Sequence, residues 1–349
     1  MENELFILSL TLISGILLYF GFKYLPDEQW QFIASFPIIK IENNIWKGIN
    51  LTYYGLIIAC SQVFALLMFI ILTGAIGVPL LMVIMISFVL VSLCILASKV
   101  FALIVEKKMH TFTVGGASFF GMFIAPFVVF AVYKISGIDG AFHFILPVLA
   151  CLSIAYSFGE GFGRLACISF GCCYGRPVKS TETTITKFFS RYAFTFYGKT
   201  KKISYEAGLD GHRVIPVQAM TSIVFLITGI FATYLFLTSR YRLSFTITMI
   251  ITQVWRIVSE TMRADYRGQG RFSMYQLMAL ITCLFSLVLS AFLPVGKIKT
   301  PNLLKGIKYL WNAEILLTIQ ILWFLTIVYF GRSKVTGSKI TFYVDEEKI

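Results

Sequence analysis

The chain has 349 residues, 58% of them hydrophobic and 13% charged, and its 30 Lys and Arg against 17 Asp and Glu give a net charge of +13. Soluble domains carry about 25% charged residues, and a water-soluble fold of this length could not hide so much apolar surface, so lipid must cover it. The basic residues lie between apolar runs and form no separate basic domain, which points to anionic lipid head groups as partners and away from nucleic acid.

Nine apolar runs reach the roughly 20 residues that a spanning helix needs: 4–22, 50–73, 78–103, 113–133, 142–162, 215–238, 244–262, 273–293 and 311–330. The expected fold is therefore an all-α, polytopic helical bundle of about nine spanning helices with a small extramembrane head. The first run has Glu2 and Glu4 where a signal peptide would be positive, and no small-residue cleavage site follows Lys23, so it reads as a retained helix. Residues 23–49, with Trp30, Trp46 and mixed charge, read as an interfacial segment. Residues 171–213 are polar and basic. Their alternation predicts a small strand pair with a turn at Gly208 to Gly211. No internal repeat is visible, so an inverted-repeat transporter has no direct support.

Three segments carry the chemistry. The first runs Gly159-Glu160-Gly161-Phe162-Gly163-Arg164-Leu165-Ala166-Cys167 and continues as Gly171-Cys172-Cys173-Tyr174-Gly175-Arg176-Pro177. An Arg at the end of a spanning helix is costly unless it meets an anion or a watery cavity, and the glycines allow close approach of backbone. A snorkelling Arg beside a Gly-rich turn reads equally well from these residues. In the second segment, Arg256, Glu260 and Arg263 share one helix face, so Glu260 is expected to hold Arg256. With Arg267 they form either an anion site or an ion pair that locks helices together. The third is Gly115-Gly116-Ala117-Ser118 at a helix start, suited to close helix packing or to presenting N–H groups to an anion. Tyr53-Tyr54-Gly55, Pro216-Val217-Gln218 and Ser273-Met274-Tyr275-Gln276 each open a helix.

In this order the segments resemble the bacterial prolipoprotein diacylglyceryl transferase family over about residues 50–293. The resemblance implies one extra helix with an interfacial segment (1–49), a transferase-like membrane domain (50–293, with 171–213 as its head) and one extra helix with a polar tail (294–349). It implies transfer of the diacylglyceryl group of phosphatidylglycerol to the lipobox cysteine thiol of a prolipoprotein, releasing glycerol phosphate, in a multi-pass protein of the bacterial inner membrane that uses no cofactor and no metal. Arg164 and Arg256 would bind the lipid phosphate and stabilise the leaving group, with Glu260 orienting Arg256. Tyr54, Gly115, Gly116, Gly175, Arg263 and Gln218 would line the site. A lipid-binding or lipid-moving protein on the same fold is the alternative.

Several positions depart from the family pattern. Val114 stands where a His is common, Cys167 where an Asn is, Cys172 where a Glu is, and the Gln-Leu-Tyr-Glu motif is reduced to Gln218-Ala219-Met220-Thr221. His110, four residues before Val114, is the candidate base for removing the acceptor thiol's proton. For Cys167, Cys172 and Cys173 the expectation is packing with one disulfide, because a metal site needs a fourth ligand that the sequence does not offer. Alternating the loops places twenty Lys and Arg on the face of 171–213 and seven on the other. The positive-inside rule puts the richer face in the cytoplasm. The resemblance puts it outside, and the expectation follows the resemblance because long loops report topology poorly.

Overall fold

The computed structural model describes residues 2–106, 114–137, 141–178, 191–265, 272–296 and 300–349. Each of the nine apolar runs has become a long helix: α1 Glu2–Tyr24, α2 Tyr53–Ala75, α3 Leu80–Phe101, α4 Val114–Ile135, α5 Ala141–Phe170, α7 Val217–Leu237, α8 Tyr241–Met262, α9 Met274–Phe292 and α11 Ala313–Gly331. Among the described residues eight of these are long and apolar enough to cross a membrane. The remaining one is α8, whose apolar face shares the helix with Arg256 and Glu260. Two short helices are also described, α6 (Lys202–Ala207) in the head and α10 (Leu303–Leu310) before α11.

The 30 residues of α5 span about 45 Å at 1.5 Å per residue, longer than the bilayer core, so its last turns leave the hydrocarbon. It runs through the middle of the bundle, against α2 on one side and α7 and α8 on the other. Small residues make these approaches possible. A Cβ on Gly159 would sit 3.0 Å from Ala65 of α2. The Ser222 hydroxyl of α7 donates to the Gly161 carbonyl at 2.6 Å, and Ser157 donates to Phe225 at 2.6 Å. Helix α2 meets α11 and α10 through glycines: a Cβ on Gly55 would overlap the Gly331 backbone, and one on Gly306 would overlap the Ile71 carbonyl.

Residues 23–49 do more than lie at an interface. Phe32–Glu42 (β1) and Ile45–Thr52 (β2) form an antiparallel hairpin, with Asn44 in the left-handed conformation at the turn (φ 65°). The tail supplies a third strand, β5 (Arg332–Thr341), paired antiparallel with β2. The alternation in Phe32 to Glu42 and in Ile45 to Thr52 carries the strand signal, and the charges mixed into it blur that signal. Among the described residues of the head, the expected strand pair is β3 (Phe194–Thr195) with β4 (Arg213–Val214), and α6 lies between them in the chain. Gly208 ends α6 in the left-handed conformation (φ 64°), and the predicted turn follows at Asp210 and Gly211, the latter also left-handed (φ 72°).

The head is anchored from below by one side chain. Lys201 is fully buried, and its ammonium donates to the carbonyls of Leu25 and Ser169, both at 2.9 Å. This ties the loop after α1 to the last turn of α5, where a cation also suits the helix dipole.

Candidate functional site

Arg164 and Arg256 lie 92 positions apart in sequence, and the fold brings them to one carboxylate. That carboxylate is Glu160, one turn before Arg164 on α5. Arg164 Nη2 pairs with Glu160 Oε1, and Arg256 Nη2 reaches the same oxygen at 3.7 Å. All three side chains are nearly buried, at 13%, 12% and 6% exposed. Arg256 also donates to the Ser118 hydroxyl of α4 at 2.5 Å. The site is thus built where α5, α8 and α4 meet, and its charges are held by packed helices.

The expected Glu260–Arg256 pair is not made. Glu260 instead accepts from Arg263 at 3.4 Å and lies 3.5 Å from the Ser273 hydroxyl. The physical reason is the end of α8: Arg263 has left the helix with extended φ/ψ and folds back onto its last turn. Arg263 is further clamped by two 2.8 Å bonds to Asp265, so its guanidinium is consumed by carboxylates. Arg263, expected among the substrate contacts, is thus paired with two carboxylates in this structure.

One buried polar atom near the shared carboxylate, Arg164 Nε, lacks a hydrogen-bond partner among the described residues. Buried polar groups are almost always satisfied, so an unsatisfied donor beside a second arginine marks a place for an acceptor. Two guanidiniums against one carboxylate also leave one positive charge over.

The glycines and polar markers hold this arrangement together. Gly115 packs on the ring of Tyr275 in α9, 2.6 Å from where its Cβ would sit, and Gly116 is buried. Gly175 forms a β-bridge with Arg263, and a Cβ there would overlap the Ile215 carbonyl. The strand-like stretch around it is held by Arg176 N–H to Met262 and Ile215 N–H to Arg176, both at 3.0 Å. Gln218 is buried and donates to the Cys172 carbonyl at 2.8 Å. Ser273 and Gln276 form a capping box at the start of α9, and Gln276 also reaches the Ile257 carbonyl at 3.1 Å. Tyr54 packs its ring 5.5 Å from Phe170 at the end of α5. His110 lies outside the described residues.

The three clustered cysteines are brought together by the way α5 ends. Gly171 takes a left-handed φ of 68°, with Cys172 N–H bonded to the Cys167 carbonyl at 3.1 Å and Gly171 N–H to the Ile168 carbonyl at 3.2 Å. This is a Schellman cap, in which the side chains at the positions of Cys167 and Cys172 meet. Cys173 then adopts φ 58°, a costly value for a residue with a Cβ, and turns back onto the pair. The three sulfur atoms lie within 4.8 Å of one another. All three are free cysteines, so the expected disulfide is not present. Hydrogen bonds from the other two thiols, with the guanidiniums of Arg263 and Arg164 beside it, hold the Cys173 thiol well below the usual range.

Glu160, Ser118 and Asp265 are the site residues that the sequence reading left without a role. The Glu160–Arg164 pair had a signal, the four-residue spacing of a helical ion pair. A family model for prolipoprotein diacylglyceryl transferase matches residues 41–292. No curated protein gives a match.

Proposed function

Because the chain belongs to the prolipoprotein diacylglyceryl transferase family, we propose that it moves the diacylglyceryl group of phosphatidylglycerol to the lipobox cysteine of a prolipoprotein and releases glycerol phosphate. Its apolar helices and its family make it a multi-pass membrane protein with a lipid-linked transferase ancestry. The observation that carries the finer reading is the pair of arginines on Glu160, with one positive charge unbalanced and the Arg164 Nε–H unused.

In this reading the donor's phosphate sits against Arg164 and Arg256. The acceptor thiolate attacks the glycerol carbon that bears the phosphate ester. A C–S bond forms, the C–O bond breaks, and the electron pair leaves on the phosphate oxygen. The leaving group gains negative charge as it departs, and guanidiniums fixed by Glu160 and Ser118 meet that charge without reorganising. The head, residues 171–213, faces the exterior of a bacterial inner membrane, where precursors emerge. The test is transfer of radiolabelled diacylglyceryl from phosphatidylglycerol to a synthetic lipobox peptide by the purified chain. A labelled peptide that requires both the peptide cysteine and Arg164 is the expected result. Tight phosphatidylglycerol binding with no labelled peptide would favour the lipid-moving alternative, which is motivated by Val114, Cys167 and Cys172 standing where the family pattern has His, Asn and Glu.

A further inference from the structure

Transfer to a thiol requires the thiol's proton to leave, and the described histidines do not serve. His212 is exposed in the head and bonded to its own loop, and His143 is exposed beside Gly296. The arginine site instead has three sulfur atoms next to it. Building on the transfer reading above, we propose that Cys167, Cys172 and Cys173 hold a zinc ion whose fourth position takes the acceptor's cysteine thiol.

The geometry fits that ion. Zinc–thiolate bonds are about 2.3 Å, so tetrahedral sulfurs lie about 3.8 Å apart. The three sulfurs are already inside a 4.8 Å limit, so closing on an ion takes less than about 1 Å of movement. The ligands are also preorganised: the Schellman cap fixes Cys167 and Cys172, the Gln218 amide holds the Cys172 carbonyl, and the left-handed turn commits Cys173 to the same side. Among the described residues no fourth His, Cys, Asp or Glu joins the group. Three protein ligands and one exchangeable position is the arrangement of reactive zinc, whereas structural zinc is closed by four.

The electrostatics fit as well. Zinc with three thiolates carries one negative charge, and Arg164 lies within electrostatic reach of Cys173 to offset it. An acceptor thiol that binds the ion gives up its proton to solvent on coordination. The metal-bound thiolate then forms the C–S bond, the C–O bond to phosphate breaks, and glycerol phosphate departs with the electron pair. The new thioether is a poor ligand and leaves the ion. The zinc ends with the ligands and oxidation state it began with, and no electron donor or acceptor is needed.

The experiment uses the full chain, purified under reducing conditions in detergent, with zinc measured by elemental mass spectrometry and cobalt(II) substituted as a spectroscopic probe. About one zinc per chain is expected, falling at least tenfold in Cys167→Ser and Cys172→Ser and unchanged in Cys94→Ser. The cobalt spectrum should show sulfur-to-metal charge transfer, and it should shift on adding a lipobox peptide but not its Cys→Ser analogue. This spectral arm needs neither a variant nor turnover. Chelation should abolish transfer and zinc should restore it. A chain free of metal, zinc retained in the Cys→Ser variants, a disulfide within the trio, or a cobalt spectrum blind to the peptide would each overturn the proposal. Transfer that proceeds in the chelated chain would overturn the zinc while leaving the transferase reading intact. A peptide that shifts the cobalt spectrum but is never lipidated would overturn the transferase reading and leave zinc as a thiol-binding site.

Discussion

Replacing Glu160 by Gln keeps the shape of the side chain and removes the charge that two buried arginines share. At 3.7 Å and an effective dielectric of about 20, the Arg256–Glu160 attraction is about 4.5 kcal/mol before desolvation. Removing one partner from a buried pair typically costs about 3–5 kcal/mol, because the survivor keeps its desolvation penalty. Here two cations survive and also repel each other. Glu160→Gln should therefore lower the thermal midpoint by on the order of 10 °C in neutral detergent, taking a few degrees per kcal/mol for a chain of this size. An anionic phospholipid supplies the missing negative charge, so adding phosphatidylglycerol should restore at least half of the loss, and phosphatidylcholine should restore little. The assay is a melting curve of wild type and variant, each with the two lipids. Equal midpoints for the variant in both lipids, or no destabilisation at all, would refute the idea that these guanidiniums are paired to Glu160 in place of a phosphate.

Four further expectations follow from the same geometry. Arg164→Lys or Arg256→Lys keeps the charge but loses the planar fork, and transfer to a lipobox peptide should drop at least ~100-fold while lipid-free melting changes little. Arg263→Ala should instead act on folding, by roughly 3–5 kcal/mol, since Asp265 and Glu260 lose their partner; phosphatidylglycerol affinity measured on the folded fraction should stay within about twofold of wild type. Gly175→Ala should prevent stable folding because of the Ile215 carbonyl, whereas Gly163→Ala, with nothing within 4 Å of its added Cβ, should melt like the wild type. Burial lowers the Lys201 ammonium to about 8. The unfolded chain then keeps a proton that the folded chain has released, so stability should rise by roughly 3 kcal/mol from pH 8 to pH 10.5, and a Lys201→Met variant should show no such rise.

Helix positions were readable because hydrophobic runs of spanning length have few other outcomes in a bilayer. All nine windows coincide with helices to within a few residues at most ends, although α5 runs on to Phe170, well past its window. Convergence of Arg164 and Arg256 was also readable, since each is too costly to bury alone. Which carboxylate joins them was not. Helical spacing offered Arg256 only Glu260 on its own helix, and packing of α5 on α8 selects Glu160 instead. The meeting of three thiols was hidden for a different reason. It depends on Gly171 and Cys173 taking positive φ in succession, a backbone choice that spacing does not encode. The β1–β2–β5 sheet joins segments almost 300 residues apart, beyond the reach of any local pattern.

That sheet has a consequence for biogenesis. Strand β2 leads straight into α2, yet its second neighbour, β5, follows α11. While the ribosome feeds the intervening helices into the membrane, β2 carries one open row of peptide N–H and C=O groups. An open row of that kind invites pairing with other extended chains. Only synthesis through β5 closes it, by pairing Trp46 with Ile340 and Lys47 with Lys339. A nascent chain that stops short of β5 thus leaves the ribosome with an exposed strand edge, a mark by which proteases and chaperones could tell it from the finished protein.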